Sequence, residues 1–263
     1  MAKAQNSARY NIRVLDRAVS VLKTLSDGRP RTLTELSREL EINSSTTFRL
    51  LSSLRSHNLV QLVDATGQYR LGLACLELSR AYHIGDEIRQ ASLSEMEFLR
   101  DETRETVHLG VLDDMEIVYL EKLEGLHAIG LMSSRVGRRA PAHCTGLGKA
   151  LLAYTPSGFI QENLAKLNLT KFTDTTITDE RELIDHLKQV RARGYALDLG
   201  EHEYEVRCVA APIFDQYGET IAAISVSGPR DRMDPVAQNI EMIQRTLLAA
   251  NNISKNLGYQ DER

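Results

Sequence analysis

Apolar residues recur at helical spacing near the start of the chain. Five of them define the first predicted helix: Val14, Ala18, Val21, Leu22 and Leu25. Gly28-Arg29-Pro30 would end this helix. Thr32 is a suitable N-cap for a second helix, because Glu35 lies three residues further on, which is the spacing of a capping box. The pattern therefore predicts two short helices before residue 43.

A third helix and a hairpin follow. Asn43 is a suitable N-cap for the helix. Its buried side is predicted from four residues at helical spacing: Thr47, Leu50, Leu51 and Leu54. Residues 59–63 and 69–71 are predicted strands on either side of a turn at Asp64-Ala65-Thr66-Gly67. A helix, a helix–turn–helix and a hairpin, in this order, are the layout of a winged helix-turn-helix domain.

The remaining sequence predicts a second region of mixed helices and strands. Strands are predicted at 107–112, 116–122, 128–134, 206–214 and 220–227. Helices are predicted at 72–84, 86–104, 146–154, 157–167, 179–193 and 235–257. Strands, then a helical insert, then strands and a final helix indicate an α+β fold with an antiparallel sheet.

The charge of the chain divides between these two regions. Residues 1–84 carry 12 Lys and Arg against 7 Asp and Glu, a net charge of +5, whereas residues 85–263 carry 20 against 29, a net charge of −9. A basic first third and an acidic remainder indicate two domains with different partners, although small imbalances also arise by chance. We expect a winged-helix domain at 1–72 and a second domain at 85–263. The connector at 73–84 is expected to be a rigid helix, because it is not a Gly/Ser-rich tether.

The composition excludes several classes of protein. The 263 residues are 26% charged and 42% hydrophobic, which is typical of neither disordered nor fibrous chains. No apolar stretch approaches the ~20 residues that a membrane helix needs, and residues 1–10 lack the apolar core of a secretory signal. The three cysteines, Cys75, Cys144 and Cys208, are too few and too scattered for a disulfide framework. We expect a soluble, cytoplasmic protein.

The outer side of the third predicted helix combines short hydroxyls with an arginine and an aromatic ring. It carries Ser44, Ser45, Thr46, Phe48, Arg49 and Ser52. Hydroxyls and backbone N–H groups at a helix start can bind phosphate oxygens, Arg49 can contact a phosphate or a guanine edge, and Phe48 can contact a thymine methyl group. Thr66, Gln68 and Arg70 of the hairpin would then touch the DNA backbone or minor groove. The alternative is a well-capped helix start with Phe48 packed on a neighbour.

Several motifs resemble the IclR family of bacterial transcriptional regulators. They are TELS (34–37), NSSTTFRLL (43–51), GQYRLG (67–72), GRRAPAHCTGLGKA (137–150), RGY (193–195), RCVAAPIFD (207–215) and ISVSG (224–228). The resemblance covers nearly the whole chain, and its central stretch is most similar to the branch that senses sugar acids and their keto-deoxy catabolites. It implies a winged helix, a linker helix and a GAF-like effector-binding domain at 85–263. It also adds Thr34 to the candidate DNA contacts.

The same resemblance implies a small carboxylate effector, held between residues 146–147 and the last two strands. The positions that match the family's ligand contacts are Gly146, Leu147, Asp198, Cys208, Ser225 and Ser227. Gly146 and Leu147 open a predicted helix, whose N–H groups and dipole can hold a carboxylate. Ser225 and Ser227 lie two apart on a strand, so they share a face and can donate to the same ligand. The alternative for each serine is a satisfied hydroxyl in the core.

Two further features bear on the effector. Asp198 would accept hydrogen bonds from ligand hydroxyls. Glu205-Val206 stands where family members often have a small apolar residue and a glycine. This departure leaves the wall of the pocket, and with it the identity of the effector, open.

Catalytic and metal-binding interpretations of the same region are weaker. Cys144 beside His143, or Cys208 near His202, would suggest a nucleophile, but chain neighbours need not face each other and no third orienting group is apparent. These four residues would also suggest a metal site, yet no pair has a short ligand spacing.

Other motifs do not change this picture. Gly146-Leu147-Gly148-Lys149 lacks the spacing of a phosphate-binding loop, and Asp113-Asp114 is expected in a hairpin turn. We expect no catalytic residue, metal or cofactor.

The sequence thus predicts a ligand-responsive DNA-binding transcriptional regulator. We expect a repressor of a catabolic operon for a small sugar or keto acid, although the same fold also serves activators. A homodimer or a dimer of dimers would bind a palindromic operator in double-stranded DNA, and no membrane is involved. The alternative is a small-molecule enzyme fused to a DNA-binding module.

Overall fold

The structure of the chain is a computed structural model that describes residues 12–80, 86–126, 132–233 and 240–260. The chain folds as two compact units, Met1–His83 and Ile84–Arg263. The elements of the first unit are α1 (Arg13–Leu25), β1 (Arg31–Thr32), α2 (Leu33–Glu39), α3 (Ser44–Ser56), β2 (Val60–Val63), β3 (Gln68–Leu71) and α4 (Ala74–Arg80).

Local capping interactions determine where α2 and α3 begin. The Thr32 hydroxyl accepts a hydrogen bond from the Glu35 N–H at 3.3 Å, and the Glu35 carboxylate accepts one from the Thr32 N–H at 2.7 Å. At the start of α3, Asn43 Oδ1 accepts from the Thr46 N–H at 2.8 Å. Both predicted caps are confirmed, because each depends only on residues three positions apart.

The core of the first unit is formed by the predicted stripe of α3 and its neighbours. Thr47, Leu50, Leu51 and Leu54 are all buried. They pack with Val21 and Leu25 of α1, Leu36 of α2 and Val60 of β2. Burial of this one side leaves the opposite side of α3 exposed.

The hairpin forms as predicted. Strands β2 and β3 are antiparallel, and the pair Val63 and Gln68 closes a turn over residues 64–67. Gly67 has a φ of +66°, a conformation that favours glycine. Strand β1 pairs with the other side of β3, which completes a three-stranded sheet of order β1-β3-β2. The first unit therefore has the predicted winged helix-turn-helix layout.

The second unit is built on an antiparallel sheet. Its elements are α5 (Asp86–Thr103), β4 (Thr106–Asp113), β5 (Glu116–Leu123), β6 (Arg139–Pro141), α6 (Gly146–Leu152), α7 (Ser157–Leu167), α8 (Glu180–Arg193), β7 (Ala196–Asp198), β8 (Val206–Phe214), β9 (Thr220–Pro229), α9 (Arg230–Met233) and α10 (Ile240–Asn256). The six strands lie in the order β6-β5-β4-β9-β8-β7, and every neighbouring pair is antiparallel. The predicted α+β class is confirmed.

Helices cover both faces of this sheet. Alternation along β8 sends Val209, Ala211 and Ile213 to one face, where they pack in a core with residues of α5 and α10. Cys208 and Ala210 point to the other face, which α6 and α8 cover. The two faces thus have separate cores, and the β8 residues that pack in the core with α6, Cys208 and Ala210, have small side chains.

One edge of the sheet is only partly paired within the described residues. Strand β7 pairs with β8 from Cys208 to Ala210, so the rest of β8 has a strand neighbour on the β9 side only. Pro212 in this stretch has no N–H to donate. The Phe214 N–H donates to the Ser254 hydroxyl of α10 at 3.0 Å.

Several predicted bounds need correction. The strand expected at 128–134 is wrong in its described part, since residues 132–134 form no strand; residues 128–131 lie outside the described residues. The edge of β5 is taken instead by β6, with Ile117 opposite Ala140, while Ser133 and Ser134 turn their side chains to Glu203 and His108.

The other differences are smaller. The described part of the connector helix runs from Ala74 to Arg80, and residues 81–84 lie outside the described residues. The helix at 146–154 ends at Leu152. The last helix is described from Ile240, and residues 235–239 lie outside the described part. The short elements β1, β7 and α9 were not predicted, because two to four residues carry too little periodicity.

Because each unit has its own hydrophobic cores, we expect residues 85–263 to fold without the winged helix. A fragment of these residues should unfold in a single cooperative transition in urea, as followed by circular dichroism. The full chain measured in parallel is the control. A fragment that aggregates or lacks a cooperative transition would show that the boundary is misplaced.

Candidate functional sites

The exposed side of α3 forms the first candidate site, which we call the DNA-contact surface. Ser44, Ser45, Phe48, Arg49 and Ser52 are exposed, and Thr46 is half-buried. Phe48 is 56% exposed and does not belong to the core of the unit. Arg49 has no hydrogen-bond or ion-pair partner among the described residues. An aromatic ring and a guanidinium side by side on a helix surface suit contacts with base edges and phosphates.

The hydroxyls of this surface are not equally available. The Ser45 hydroxyl donates to Asn43 Oδ1 at 3.0 Å, so it supports the N-cap. Thr34 on α2 is exposed, as are Thr66 and Arg70 of the hairpin. Gln68 is half-buried, because it lies in the central strand with partners on both sides. Of the three hairpin candidates, Gln68 is therefore the least accessible.

The second candidate site is a cavity of about 170 Å³ in the second unit, which we call the effector pocket. It is lined by all six residues that the family resemblance implies: Gly146, Leu147, Asp198, Cys208, Ser225 and Ser227. These come from α6, β7, β8 and β9, so residues up to 81 positions apart in sequence meet in one place. These six residues therefore surround a cavity that is large enough for a small molecule.

The start of α6 supplies backbone donors. Thr145 is the N-cap, and its hydroxyl accepts from the Gly148 N–H at 3.2 Å. Gly146 and Leu147 occupy the first two helical positions, where N–H groups have no acceptor within the helix. A Cβ at Gly146 would lie 2.5 Å from Cys208 Sγ, and one at Gly148 would overlap the Ala142 carbonyl oxygen. The two glycines therefore let α6 approach the sheet closely enough to form the pocket.

Ser225 and Ser227 point to the same side of β9, where they meet a buried histidine. His108 of β4 lies opposite Ser225 in the strand register. Its Nδ1 is 3.3 Å from the Ser227 hydroxyl, and its Nε2 is 2.8 Å from the Ser134 hydroxyl. Burial, together with the charge of Lys122, lowers the pKa of His108 to about 3, so the ring is neutral at pH 7.

The opposite wall of the pocket carries Asp198. This residue is 5% exposed, and its Oδ1 accepts from the Gly200 N–H at 3.0 Å and the Glu201 N–H at 2.8 Å. Burial raises the pKa of Asp198 to about 7, although the charge of Lys149 and the two backbone hydrogen bonds act against this shift.

An ion pair lies behind this wall. Lys149 of α6 has no exposed surface, and its Nζ contacts Glu201 Oε1. The loop that carries Glu201 is also fixed by threonines, since Thr173 donates to the Gly200 carbonyl at 2.7 Å and Thr176 donates to the Glu201 carbonyl at 2.6 Å. The Lys149–Glu201 ion pair therefore connects helix α6 to the loop after β7.

Several lining residues had not been found from the sequence. They are His108, Tyr119, Met132, Ser133, Ser134, Arg138, Arg139, Ala140, Thr145, His202, Glu203 and Val206. Alternation along β4 could have placed His108 on a buried face, but its pairing with β9 depends on long-range register. Val206, from the departure noted in the sequence, does line the pocket, whereas Glu205 does not.

The geometry does not support the catalytic interpretation of the cysteines. Burial raises the pKa of Cys208 to about 12 and also raises that of Cys144, so both are thiols at pH 7. His143 Nε2 lies 3.1 Å from the Thr170 carbonyl oxygen and is not paired with a thiol. Among the described residues, no group of three or more His, Cys, Asp or Glu is placed to hold a metal ion. Asp114 lies in the turn between β4 and β5, as predicted, whereas Asp113 is the last residue of β4.

Comparison with known families matches both units. The model of the IclR helix-turn-helix domain matches residues 14–64, and the model of the C-terminal domain of bacterial transcriptional regulator IclR matches residues 81–255. None of the described helices is long and apolar enough to span a membrane.

Individual relatives align along most of the chain. HTH-type transcriptional regulator KdgR of Dickeya chrysanthemi is 37% identical over 242 residues, which cover 92% of this chain and 78% of the relative. HTH-type transcriptional repressor AllR of Klebsiella pneumoniae is 32% identical over 260 residues, covering 97% and 94%. The crystal structure of an IclR homolog from Microbacterium hydrocarbonoxydans, complexed with 4-hydroxybenzoate, has a TM-score of 0.78 at 29% identity and covers 93% of this chain and 98% of that one.

The close approach of α6 to β8 generates a prediction. Gly146→Ala should destabilise the chain by about 1–3 kcal/mol, since the new methyl group would overlap Cys208 Sγ. Chemical denaturation of the full chain measures the effect. The double variant Gly146→Ala/Cys208→Ala removes the overlapping sulfur and should recover part of the loss relative to the two single variants. Additive effects in the double variant would contradict this packing.

Proposed function

The chain belongs to the IclR family of bacterial transcriptional regulators, and on that premise we propose that it represses a catabolic operon for a small sugar or keto acid. The acid would bind in the effector pocket and release the repressor from its operator. The observation that carries this proposal is the single cavity formed by Gly146, Leu147, Asp198, Cys208, Ser225 and Ser227. A regulator of this kind would act in the cytoplasm, where the bacterial chromosome lies.

We assign DNA binding to residues 1–72, with the DNA-contact surface of α3 in the major groove. The base-contacting candidates are Phe48 and Arg49, and the phosphate-contacting candidates are Thr34, Ser44, Ser45, Thr46 and Ser52. Thr66, Gln68 and Arg70 of the hairpin would contact the backbone or the minor groove. Short hydroxyls and backbone N–H groups at the start of α3 suit phosphates, and the +5 charge of residues 1–84 favours a polyanion.

Exposed apolar residues support a dimer. Ile12, Leu15 and Val19 lie at spacings of three and four residues, on a side of α1 that is separate from buried Val21 and Leu25, and they are 64%, 59% and 40% exposed. Leu73 and Leu76, at the start of α4, are 71% and 60% exposed. Apolar stripes of this kind mark contacts between chains. A homodimer or a dimer of dimers would present two α3 helices to the half-sites of a palindromic operator.

The size and donors of the effector pocket favour a small acid. Its volume of about 170 Å³ is close to the ~150 Å³ of a cavity that holds benzene, so we expect an effector of about six to ten non-hydrogen atoms. Two N–H groups at the start of α6 and the hydroxyls of Ser225 and Ser227 can donate to a carboxylate. The similarity to KdgR adds sugar-acid catabolism as the favoured context.

One experiment tests the repressor function and separates it from an enzymatic one. Sugar acids and keto acids are screened for release of the purified chain from DNA upstream of its own gene. Each acid that binds is then incubated with the chain and analysed for products. Release without turnover supports a repressor, whereas turnover of the acid would establish an enzyme fused to a DNA-binding module.

We predict that Arg49→Ala weakens operator binding by about 1–3 kcal/mol if the guanidinium contacts a base, and lowers the salt dependence if it contacts a phosphate. A salt titration of DNA binding distinguishes the two cases. Arg181→Ala, which removes an exposed arginine of the second unit, controls for loss of charge. Wild-type affinity of Arg49→Ala at every salt concentration, with the fold intact, would exclude this residue from the interface.

We predict that Ser225→Ala and Ser227→Ala each weaken effector binding by about 1.5–3 kcal/mol, the value of a hydrogen bond to a charged group. This is about one to two decades in affinity. Operator affinity without effector should be unchanged, so each variant would be a repressor that the acid cannot release. Calorimetry and the DNA-release assay measure the two effects, and Ser157→Ala on the exposed start of α7 is the control. Wild-type acid affinity in both variants would place the pocket elsewhere.

A further inference from the structure

The wall of the effector pocket holds two buried carboxyl groups but one buried lysine. Asp198 and Glu201 are each 5% exposed, and Lys149 has no exposed surface. If both carboxyl groups were ionised, Asp198 would carry an unpaired buried charge, because no ion pair among the described residues joins it to Lys149 or to the buried Arg207 beside Gly200. Such a charge is costly in a low-dielectric interior, where a group exchanges a proton instead.

The geometry shows which carboxyl group the lysine neutralises. Lys149 Nζ contacts Glu201 Oε1, whereas no ion pair joins it to Asp198. Asp198 Oδ1 accepts two backbone N–H groups, and Oδ2 has no hydrogen-bond donor within the described part of the chain. Since Asp198 lines the cavity, its free oxygen is on the side where an effector would lie.

The groups whose charges act on Asp198 from neighbouring elements include one cation. They are Lys149 of α6, Glu201 of the following loop, Cys208 of β8, Tyr119 of β5 and Cys144 before α6. Two arginines lie near the same wall: buried Arg207, beside Gly200, donates to the Tyr204 and Val206 carbonyls, and half-buried Arg193 donates to the Tyr195 carbonyl. The pKa values of Cys144, Cys208 and Tyr119 are raised by burial, so these groups are neutral at pH 7.

The two arginines on the rim of the pocket, Arg138 and Arg139, have other partners. Arg139 pairs with Asp113 and Glu116, and Arg138 donates to the Ser133 carbonyl at 3.0 Å. The two histidines of the pocket have lowered pKa values, because burial disfavours the imidazolium. Arg138 and Arg139 are on the exposed rim. Deeper in the pocket, next to Asp198, a carboxylate would therefore meet neutral donors and, if Asp198 were ionised, a like charge.

We propose that Asp198 is the proton-carrying group of the effector pocket, neutral when the acid is bound and donating its proton from Oδ2 to the effector's carboxylate. This inference rests on the proposed function, because it concerns how the same pocket holds an anion. No covalent bond changes: Asp198 takes one proton from solvent as the effector binds and returns it as the effector leaves. The hydrogen bond runs opposite to the one that the sequence predicts, in which Asp198 accepts from ligand hydroxyls.

The ionisation of the apo chain is consistent with this role. Burial raises the pKa of Asp198 to about 7, and the charge of Glu201 acts in the same direction. A bound carboxylate would raise it further, because like charges disfavour ionisation. A carboxylic acid kept neutral in an enclosed site is a recognised way to donate a hydrogen bond to a negative oxygen.

The ionisation of Asp198 can be measured without an effector. Carbon-13 NMR of the full chain, labelled at the aspartate carboxyl groups, gives the titration midpoint, and Asp198→Asn identifies the signal. We expect a midpoint near 7. A midpoint below about 5, close to that of an ordinary aspartate, would overturn the proposal.

A charge substitution tests the role of the ion pair. In Glu201→Gln, Lys149 loses its partner and should take Asp198 as its counter-ion, so the Asp198 midpoint should fall. In the double variant Lys149→Met/Glu201→Met, both charges are absent and the Asp198 midpoint should not fall. Because it leaves no unpaired buried charge, this variant can also be measured if Glu201→Gln fails to fold. Asp114→Asn, which breaks the exposed pair with Lys166, should leave the midpoint unchanged. A wild-type midpoint in a folded Glu201→Gln would contradict the assignment.

Proton uptake on binding is the direct test. Pyruvate, 2-oxobutyrate and D-erythronate, which have about six to nine non-hydrogen atoms and so fit the cavity, are titrated into the chain at pH 6 and pH 8, in buffers of different ionisation enthalpy. The acid that binds should bind about tenfold more weakly at pH 8 and take up close to one proton there, whereas Asp198→Asn should show no such pH dependence. If an acid binds without proton uptake, the proposed protonation of Asp198 is wrong, whereas the proposed function stands. If no acid of the panel binds, the proposed function and the coupling both fail.

Discussion

A lysine in a protein core requires a counter-charge, and the effector pocket depends on how Lys149 obtains one. Lys149 lies three residues after Gly146 on α6, and Glu201 lies three residues after Asp198. Their ion pair therefore connects the helix that presents N–H groups to the loop that follows the acidic wall. Loss of one partner from a buried pair costs about 3–5 kcal/mol, so the two walls of the pocket are held together strongly. The ion pair therefore helps to fix the two walls between which the cavity lies.

The parts of the structure that could be predicted from the sequence depend on short-range contacts. The caps at Thr32 and Asn43 and the buried stripe of α3 involve residues within one or two helical turns, so the pattern of side chains is sufficient. The outward position of Phe48 follows from the same stripe. The common face of Ser225 and Ser227 follows from the alternation of a strand. The family resemblance added Asp198 and Cys208, which no local pattern indicates.

The contacts that could not be predicted from the sequence depend on pairing between strands and loops that are distant along the chain. His108 meets Ser227 because β4 pairs with β9, 119 residues away along the chain. The ammonium group of Lys149 points inward because Glu201 is there, and the sequence alone gives no sign of that partner. The error at residues 132–134 has a similar origin: β5 pairs with residues 139–141 instead, and the apolar pattern does not distinguish a strand from irregular chain at these three residues.

The partly paired edge of the sheet has a consequence for how the chain behaves at high concentration. An unpaired strand invites strands from other molecules, which is a common route to aggregation. On β8 beyond Ala210, Pro212 lacks a donor and the Phe214 N–H is occupied by Ser254. An incoming strand would find few donors to pair with along this edge. Pro212 and the hydrogen bond from Phe214 to the Ser254 hydroxyl thus limit the pairing of this edge with strands of other molecules when the chain is concentrated on DNA.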